Sequence, residues 1–340
     1  MNQMLPELIM PWYLQNKRDL PWRENKEPYT VWLSEIMLQQ TRVKAVIPYY
    51  ERFIAELPTI GALAGASEEQ LYKLWEGLGY YSRVRNLQKA ACVMMQEHEG
   101  SFPSEYEQIL KLPGIGPYTA GAIASICFDV PVPAVDGNVL RVIARLEGLT
   151  DDIFLPAIKK EIREALLQVY PNSNCGDFTQ GLMELGATIC IPGGKPKCEV
   201  CPVKGICKAF QTATTNEIPL KKLSKKRKCE KITVLVLICN ENFAIQKRKG
   251  KGLLAGLWEF PNYAEWLTPN QVMSLATDWG VKPNGVSKVL EKTHVFTHIE
   301  WHMQFCLVPC KEQPMPFLWV NEEALRKIYA MPAAFQLPHF

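Results

Sequence analysis

A glycine-rich turn between two predicted helices, residues 112–119, constrains the fold of this chain more than any other stretch. The turn reads LPGIGPYT, and an apolar helical pattern continues from it to Cys127. Glycine adopts backbone angles that are barred to other residues, so Gly114 and Gly116 predict a tight turn, and Pro117 suits the first position of the next helix. Because N–H groups at a helix N-terminus attract anions, this hairpin predicts a phosphate-binding unit.

A lone carboxylate, Asp136, follows this hairpin in the segment Val-Asp-Gly-Asn-Val. An aspartate before a helical pattern is ordinarily an N-cap, here for a helix predicted from Val139 to Leu146. The same side chain becomes a candidate for chemistry if a second carboxyl group accompanies it. The local pattern leaves both interpretations open.

Glu35 is the second carboxyl candidate, inside a helix predicted from Tyr29 to Gln40. Its neighbours in LSEIMLQQ are largely apolar, and burial disfavours a charged carboxylate and raises its pKa. A carboxylic acid that stays neutral can donate a proton. The alternative is a surface glutamate on the polar stripe of an amphipathic helix.

Residues 20–210 predict an almost wholly helical domain. At 340 residues and 47% hydrophobic content, the chain is long enough for two or three globular domains. No apolar run reaches the length of a membrane span and the N-terminus has no basic leader, so a cytoplasmic protein is expected. The remaining predicted helices are Val43 to Leu57, a helix opened by a capping box at Ser67, Val84 to His98, Glu105 to Lys111, Pro117 to Cys127, Pro156 to Val169 and Cys175 to Ile189.

Four of the eleven cysteines form a cluster in a short loop rich in proline and glycine: Cys190, Cys198, Cys201 and Cys207. Such an all-cysteine set fits one metal centre, either an iron–sulfur cluster or a structural zinc. Zinc usually uses two Cys-x2-Cys arms and this loop has one, which favours the iron–sulfur cluster. The other cysteines are predicted to be small buried hydrophobic residues: Cys92, Cys127, Cys175, Cys229, Cys239, Cys306 and Cys310.

The composition changes after a basic run at residues 221–228, in a chain whose net charge is only +3. Such a run is typical of a solvated linker, and it also gains affinity for a phosphate backbone. Strands predicted at Ile232 to Ile238 and Phe243 to Lys247 form a hairpin, and a helix is predicted at Pro269 to Trp279. The second domain is therefore predicted to be α+β.

A further strand is predicted from Val295 to Leu307, with Trp301 and Met303 on its apolar face. His298 and His302 share the opposite face, a pattern that raises the question of a metal site. The segment offers no third ligand nearby, so both are interpreted as solvent-facing residues.

These features together resemble the MutY family of the endonuclease III superfamily, the helix-hairpin-helix DNA glycosylases. The segments that carry the resemblance run through nearly the whole chain: LPWRENKEPYTVWLSEIMLQQTRV (20–43), GLGYYSRVRNL (77–87), LPGIGPYTAGAI (112–123), VDGNVLRV (135–142) and GLWEFP (256–261). The resemblance implies a helical catalytic domain over residues 1–210, a basic linker over 211–229 and a Nudix-like domain over 230–340. The implied activity is removal of adenine mispaired with 8-oxoguanine or guanine, by base flipping, in base excision repair.

The resemblance also assigns the chemistry to four residues. Glu35 is implied as the acid that protonates N7 of adenine, and Asp136 as the carboxylate that stabilises the positively charged sugar. Tyr118 and Asn138 assist at the site. An apolar setting for Glu35 and a helix N-terminus for Asp136 are expected to push their pKa values apart, the first upward and the second downward.

Tyr118 separates relatives within the superfamily, since members that cut the backbone through a Schiff base carry a lysine at this point of the hairpin. We therefore expect a monofunctional glycosylase that leaves an abasic site. The rival interpretations are an endonuclease III-like lyase acting on oxidised pyrimidines and a non-catalytic DNA-binding module whose carboxylates serve only as caps.

Further residues are implied for binding DNA and its bases. They are Leu20, Arg23, Leu38 and Gln180 at the adenine pocket or its rim, Gln40 and Tyr80 near the partner base, Gly114 and Gly116 in the hairpin, and Phe296, Thr297 and His298 where the family has Phe-Ser-His for 8-oxoguanine. Core packing is the alternative role for Tyr80. The Nudix-like domain lacks the family's Arg-Glu-x-x-Glu-Glu helix, which argues against nucleotide hydrolysis.

The implied cofactor is a [4Fe-4S] cluster on the four loop cysteines. The first two of them are separated by seven residues, one more than is usual in the family, in a loop that can absorb the extra residue. The implied partner is double-stranded DNA with adenine opposite 8-oxoguanine or guanine. No membrane partner is expected, and the implied setting is a monomer at the nucleoid of a bacterial cytoplasm.

Overall fold

The computed structural model describes residues 1–220, 226–250 and 252–337. Contacts divide the described residues into two compact units, the first from Met1–Gly65 and Arg85–Leu223 and the second from Ala66–Val84 and Ser224–Phe340. Residues 221–225, which hold part of the predicted basic linker, lie outside the described residues. Among the helices that the structure describes, none has the length and apolar character needed to cross a membrane.

Residues 1–211 form helices joined by loops, which confirms the sequence prediction of a helical region. Each helix predicted between Tyr29 and Ile189 is present, with ends within two residues of those expected. In chain order the helices are α1 (Leu5–Asn16), α2 (Pro28–Leu38), α3 (Val43–Glu56), α4 (Ile60–Gly65), α5 (Glu68–Trp75), α6 (Ser82–Glu97), α7 (Tyr106–Lys111), α8 (Pro117–Phe128), α9 (Gly137–Glu147), α10 (Pro156–Leu167), α11 (Cys175–Thr188) and α12 (Lys208–Gln211). Helices α1 and α4 were not predicted, because Pro11 interrupts the first and two glycines dilute the short second.

Helix α11 packs against α1, α8 and α9 in the first unit. Its buried face includes Phe178 and Leu185, which join a hydrophobic core with residues of α1 and α9. Gly186 permits an unusually close approach to α9, since a Cβ at this position would lie 2.6 Å from the Cβ of Asn138. The start of α9 is thereby held against α11.

The second unit contains a mixed sheet with apolar clusters on its two faces. Its elements are β1 (Lys228–Cys239), β2 (Asn242–Lys247), β3 (Trp258–Glu259), β4 (Asn262–Tyr263), α13 (Pro269–Asp278), β5 (Lys288–Val295), β6 (Ile299–Pro309), β7 (Leu318–Asn321) and α14 (Glu322–Lys327). The main strand order is β3-β2-β1-β6-β5, with β1 and β6 parallel, while β4 pairs with β1 and β7 with β2. Strand β1 reads as a nearly continuous apolar run because Val234 and Val236 enter one cluster and Leu235 and Leu237 the other.

The sequence prediction of a single strand from Val295 to Leu307 is wrong at its start. Val295 ends β5, and residues 296–298 connect β5 to its antiparallel partner β6. The alternation along β6 is confirmed, with Trp301 and Met303 buried and His302 partly exposed. The strand connection therefore contains Phe296, Thr297 and His298. Side chains in such a connection are less constrained than those of residues paired within a sheet.

Helix α5 belongs by its contacts to the second unit, whereas the sequence division places residues 66–84 in the helical domain. Lys247 on β2 pairs with Glu68 and Glu69 on α5, at 2.8 and 3.1 Å. The backbone N–H of Met331 donates to Glu76 at 2.9 Å. These contacts join segments that are far apart in sequence, so local patterns do not reveal them.

Candidate active site

A cavity of about 540 Å³ in the first unit is lined by all the residues singled out for catalysis and for the adenine pocket. It is formed by residues 18–23, between α1 and α2, and by helices α2, α8, α9 and α11. The predicted residues that line it are Leu20, Arg23, Glu35, Leu38, Gln40, Tyr118, Asp136, Asn138 and Gln180. The structure thus brings both candidate carboxylates to one site.

Glu35 is buried in α2, with 7% of its surface exposed. The hydroxyl of Tyr118 on α8 donates a hydrogen bond to its Oε2. Desolvation raises the pKa of Glu35 to about 7, and the bond from Tyr118 opposes this rise. Burial also raises the pKa of the Tyr118 phenol well above its usual value, so that Tyr118 remains a donor. The interpretation of Glu35 as a surface residue is therefore wrong.

Asp136 both caps α9 and faces the cavity. Its Oδ1 accepts from the backbone N–H of Val139 at 2.7 Å, and its Oδ2 accepts from the side-chain amide of Asn138 at 2.8 Å. Burial raises the pKa of Asp136, and these hydrogen bonds with the charge of Arg141 act in the opposite direction. The expected downward shift is wrong in sign, because desolvation exceeds the stabilisation that a helix N-terminus provides.

Arg141 is a residue that sequence reasoning missed. Its guanidinium donates to Oδ1 of Asn138 and to the carbonyl of Gly186, both at 2.8 Å. A third bond, from Nε, reaches the carbonyl of Cys190 at 2.8 Å. Arg141 therefore connects the partner of Asp136 to the first cysteine of the loop. The available signal was its position three residues after Asn138, on the same face of a predicted helix.

Glu184 is the second residue that the sequence did not indicate. Its buried carboxylate accepts from Arg18 at 2.6 and 3.0 Å and from Arg23 at 2.8 Å, and Arg23 also donates to Gln180 at 3.1 Å. Burial alone would raise the pKa of Glu184, but the two arginines hold it below its usual value. Gln180 and Glu184 are four residues apart on α11, a spacing that places both on the cavity side.

The glycine-rich turn adopts a left-handed backbone at Gly114, where φ is +77°. A Cβ at this position would come within 2.5 Å of the Asn86 side chain, so glycine is required on both counts. Gly116 is the N-cap of α8 with φ of −100°, an extended conformation that any residue adopts. The prediction that Gly116 needs a backbone conformation reserved for glycine is therefore wrong. The missing side chain of Gly116 nevertheless leaves the exposed N-terminus of α8 open.

Gln40 and Tyr80, which were expected near the partner base, are both non-glycine residues with positive φ, of 57° and 48°. Left-handed backbone at such residues is uncommon and concentrates at functional sites. Tyr80 is 46% exposed, which excludes core packing as its role. Its hydroxyl lies 2.7 Å from Oγ1 of Thr297 within the second unit.

The connection between β5 and β6 contains all three residues of the predicted Phe-Thr-His recognition element. Thr297 and His298 are exposed. Phe296 is half-buried, with its ring centroid 4.8 Å from that of Trp301 and 4.5 Å from that of His294. The aromatic contacts fix the base of the connection and leave its tip accessible.

The four loop cysteines enclose a small cavity together with Arg145 and Phe210. A guanidinium N–H of Arg145 donates to Sγ of Cys190 at 3.2 Å. The Cys201 thiol lies close enough to the thiols of Cys190, Cys198 and Cys207 for their charges to interact. One metal centre can therefore bind all four.

Two protein families match this chain by sequence profile. The HhH-GPD superfamily of base excision DNA repair proteins matches residues 33–172, and the NUDIX domain matches residues 233–337. The two matches confirm the predicted combination of a helix-hairpin-helix domain and a Nudix-like domain.

Similar solved structures agree with the fold of the first unit. A thermostable thymine-DNA glycosylase has 29% identity and a TM-score of 0.57, over 62% of this chain and 96% of its own. Endonuclease III in a non-covalent DNA complex has 21% identity and a TM-score of 0.52, over 63% and 98%. The second likeness bears on the fold alone.

Similar curated proteins cover both units. The adenine DNA glycosylase of Buchnera aphidicola subsp. Acyrthosiphon pisum is 36% identical over 89% of this chain and 85% of its own length. Those of Arabidopsis thaliana and Homo sapiens are 36% and 34% identical, over 97% and 86% of this chain and 57% and 64% of their own lengths. With the buried carboxyl pair, the hairpin and the four-cysteine loop in one molecule, the chain belongs to the adenine DNA glycosylase family of base excision repair enzymes.

Proposed function

We propose that this chain is a monofunctional DNA glycosylase that excises adenine paired with 8-oxoguanine or guanine in double-stranded DNA. The observation that carries the proposal is the buried carboxyl group of Glu35, whose pKa of about 7 keeps much of it protonated near neutral pH. Its cavity also contains Asp136, a second carboxyl group with different partners. Two such groups with separate protonation states are what acid-assisted cleavage of a glycosidic bond requires.

The reaction breaks the bond between N9 of adenine and C1′ of the deoxyribose. Glu35 gives its proton to N7 of the flipped base, so that adenine leaves as a neutral molecule when N9 takes the bonding electrons. Ionised Asp136 stabilises the positive charge that remains on the sugar. Water then adds at C1′ and returns a proton to Glu35. The products are free adenine and an abasic site.

Asn138 and Tyr118 position the two carboxyl groups in this proposal. The Asn138 amide donates to Asp136 at 2.8 Å and favours its ionised form. Tyr118 donates to Oε2 of Glu35, which leaves the other carboxyl oxygen to carry the transferable proton. The cavity residues Leu20, Leu38, Arg23 and Gln180 surround the space for the base.

The absence of a lysine at position 118 supports base removal without strand cleavage. Schiff-base chemistry needs an amine that reaches C1′ of the sugar, and Tyr118 holds the corresponding place beside Glu35. The cavity lining does include Lys159, an exposed residue at the start of α10. Borohydride trapping with an abasic-site duplex tests whether Lys159, or any other amine of the chain, forms a Schiff base with the sugar. We expect no stoichiometric adduct. A stoichiometric adduct that Lys159→Gln abolishes would contradict monofunctional chemistry.

Contact with the DNA backbone is proposed for the hairpin. The exposed N-terminus of α8 follows Gly116, which has no side chain to cap it, and its free N–H groups suit a phosphate. Gly114→Ala should weaken binding to a duplex, because both its left-handed φ and the nearby Asn86 oppose a side chain. Gly65→Ala is a matched control, since no atom lies within 4 Å of a Cβ placed there.

Cys190, Cys198, Cys201 and Cys207 are proposed to hold a [4Fe-4S] cluster. The all-cysteine donor set with a single Cys-x2-Cys arm supports this group over zinc. When bound, the cluster supplies a rigid anchor for the loop, and Arg141 ties that loop to Asn138. Iron and acid-labile sulfide analysis should give about four of each per chain. A colourless protein with one zinc ion would contradict the assignment.

Recognition of 8-oxoguanine is proposed for the surface formed by Tyr80, Thr297 and His298. The hydrogen-bond distance of 2.7 Å between Tyr80 and Thr297 and the exposure of all three side chains support a shared role. Helix α13 carries a single carboxylate, Asp278, which fits recognition rather than metal-dependent hydrolysis of a nucleotide.

Paired duplexes that differ only in the base opposite adenine give the decisive experiment for the proposed function. We expect release of adenine opposite 8-oxoguanine and guanine, and none of an oxidised pyrimidine. Thr297→Val should reduce the preference for 8-oxoguanine over guanine by about tenfold, since one hydrogen bond is lost. Thr293→Val, on the exposed face of β5, is the control. An unchanged preference in Thr297→Val would show that recognition lies elsewhere.

A further inference from the structure

A cysteine, a glutamate and a histidine meet on the surface of the sheet in the second unit. Cys229 lies on β1 and Glu300 and His302 lie on β6. One ligand atom from each of the three side chains lies within 4.8 Å of the other two. Neither the catalytic cavity nor the four-cysteine loop includes these residues. The segment around His302 contains too few ligands for a metal ion, and Cys229 on the neighbouring strand β1 supplies the missing one.

Strand pairing explains why the three side chains converge. In the parallel pair, Cys229 stands opposite Glu300 and Lys231 stands opposite His302. Residues two apart on a strand share a face, and neighbours in register lie side by side. Cys229, Glu300 and His302 therefore project from one face of adjacent strands, and the sheet itself holds their relative positions.

The distances suit a tetrahedral metal ion. Nε2 of His302 and Oε1 of Glu300 are 2.9 Å apart. A zinc ion with nitrogen and oxygen bonds of about 2.1 Å needs these atoms about 3.4 Å apart, so a small side-chain rotation opens the site. A thiolate, an imidazole and one carboxylate are ligands that zinc takes in proteins, and three of them leave the fourth position for water.

The exposure of the three residues argues that they are available to an ion. Cys229 is exposed, although the sequence predicts a buried hydrophobic residue at this position. The side chains of His302 and Glu300 are 41% and 27% exposed. The cation of Lys231 on the same face lies 5.1 Å from the Trp266 ring, and a cation bound to an aromatic face competes less with an incoming metal.

We propose that Cys229, Glu300 and His302 form a binding site for one divalent zinc-class ion. The ion fastens the start of β1 to β6, beside the connection that carries the proposed recognition residues. The backbone N–H of Lys228 already donates to the carbonyl of His298 at 3.1 Å, and Arg227 donates to the carbonyl of Phe296 at 3.2 Å. A bound ion therefore steadies that connection as well as the strand ends.

Zinc binding to the full chain, purified with its cysteine loop intact and treated with EDTA, tests this site. Zinc retained after equilibrium dialysis is counted per chain by mass spectrometry for the parent, Cys229→Ser and His302→Gln. The four loop cysteines are common to all variants, so metal held there cancels in the comparison. Cys310→Ser and His294→Gln are matched controls, because both residues lie in the same unit outside the cluster.

We expect the parent and both controls to bind one more zinc ion than Cys229→Ser and His302→Gln, or to bind it at least about tenfold more tightly. Zinc should also slow amide hydrogen exchange at residues 226–232 in the parent and not in Cys229→Ser. Equal zinc binding by the parent and Cys229→Ser would overturn the proposal. Since Cys229 is exposed, its replacement leaves the fold intact, and thermal unfolding of each variant verifies this.

Discussion

Two buried glutamates of the same cavity have opposite electrostatic surroundings. Glu35, on α2, has the neutral hydroxyl of Tyr118 on α8 as its hydrogen-bond partner, and burial raises its pKa to about 7. Glu184, on α11, accepts from the guanidinium groups of Arg18 and Arg23, and its pKa is held below the usual value. Both carboxyl groups are buried to a similar degree, so their partners decide which one can act as an acid.

The difference separates the carboxyl group proposed as the acid, Glu35, from one that holds the cavity in shape, Glu184. A carboxyl group that is neutral near pH 7 can transfer a proton, whereas an ion pair that is already formed keeps its charge and fixes geometry. Asp136 lies between these cases, since burial raises its pKa while Asn138, Val139 and Arg141 oppose the rise. Each of the following substitutions changes one side of this comparison.

Glu35→Gln is expected to have the largest effect on activity. The amide preserves the shape of the side chain but carries no acidic proton, so adenine release should fall by about a thousandfold or more. Single-turnover release of adenine from an A:8-oxoguanine duplex measures this loss. Binding of the same duplex should stay within about twofold of the parent, because Glu35→Gln changes a buried side chain without altering its shape or adding a charge.

Glu161→Gln provides the control for that loss, since it removes an exposed carboxylate on α10. Its rate should match the parent. A Glu35→Gln enzyme that retains the parental rate would eliminate Glu35 as the acid and would leave the cap interpretation of the carboxylates in force.

Glu184→Gln is expected to affect stability more than chemistry. The change removes the buried anion that pairs with Arg23, which is 12% exposed, and with Arg18, which is 37% exposed, and should lower the free energy of unfolding by about 2 kcal/mol after solvent screening of Arg18. Urea denaturation at pH 7 followed by circular dichroism measures it. Glu164→Gln, which breaks an exposed pair with Lys160, should change stability by less than about 1 kcal/mol. Similar losses of unfolding free energy in the two variants would show that the buried ion pairs of Glu184 stabilise the fold no more than an exposed pair does.

Stability should also depend on pH through Glu35. Its pKa rises from 4.5 in the unfolded chain to about 7 in the folded one, so the folded state binds the proton more tightly. This stabilising contribution is full below pH 4.5 and is lost as the pH rises through 7, which amounts to about 3 kcal/mol. Between those limits, the unfolding free energy of Glu35→Gln should rise relative to the parent. A pH-independent difference between the two proteins would show that Glu35 is not desolvated.

The sequence revealed those features whose physical cause is local. The apolar neighbours of Glu35 marked it as a candidate acid, although the periodicity of its helix also fitted a surface residue, while the spacing of glycines located the hairpin and the loop composition grouped the four cysteines. Each depends on residues close together in the chain. The helical bounds were predictable for the same reason, except where Pro11 or short length obscured the pattern.

The features that escaped prediction depend on neighbours distant in sequence. Glu184 meets Arg18 across most of the first unit's chain length, and Cys229 meets His302 only because β1 and β6 pair in parallel. The direction of the Asp136 shift likewise required the burial supplied by other elements. Local pattern therefore located the candidate acid, while its partners and the pKa of Asp136 depended on tertiary packing.

Tyr118→Phe should produce the smallest and most diagnostic change. The hydroxyl donates to Glu35 and favours the ionised carboxylate, so it lowers a pKa that burial has raised. Removing it should raise the pKa of Glu35 further, by about half a unit to one unit. Because the protonated acid is the active form, the alkaline limb of the pH–rate profile should move to higher pH. A limb displaced to lower pH would mean that Tyr118 stabilises the neutral acid, and the hydrogen bond from Tyr118 would then add to the effect of burial on the pKa of Glu35 instead of opposing it.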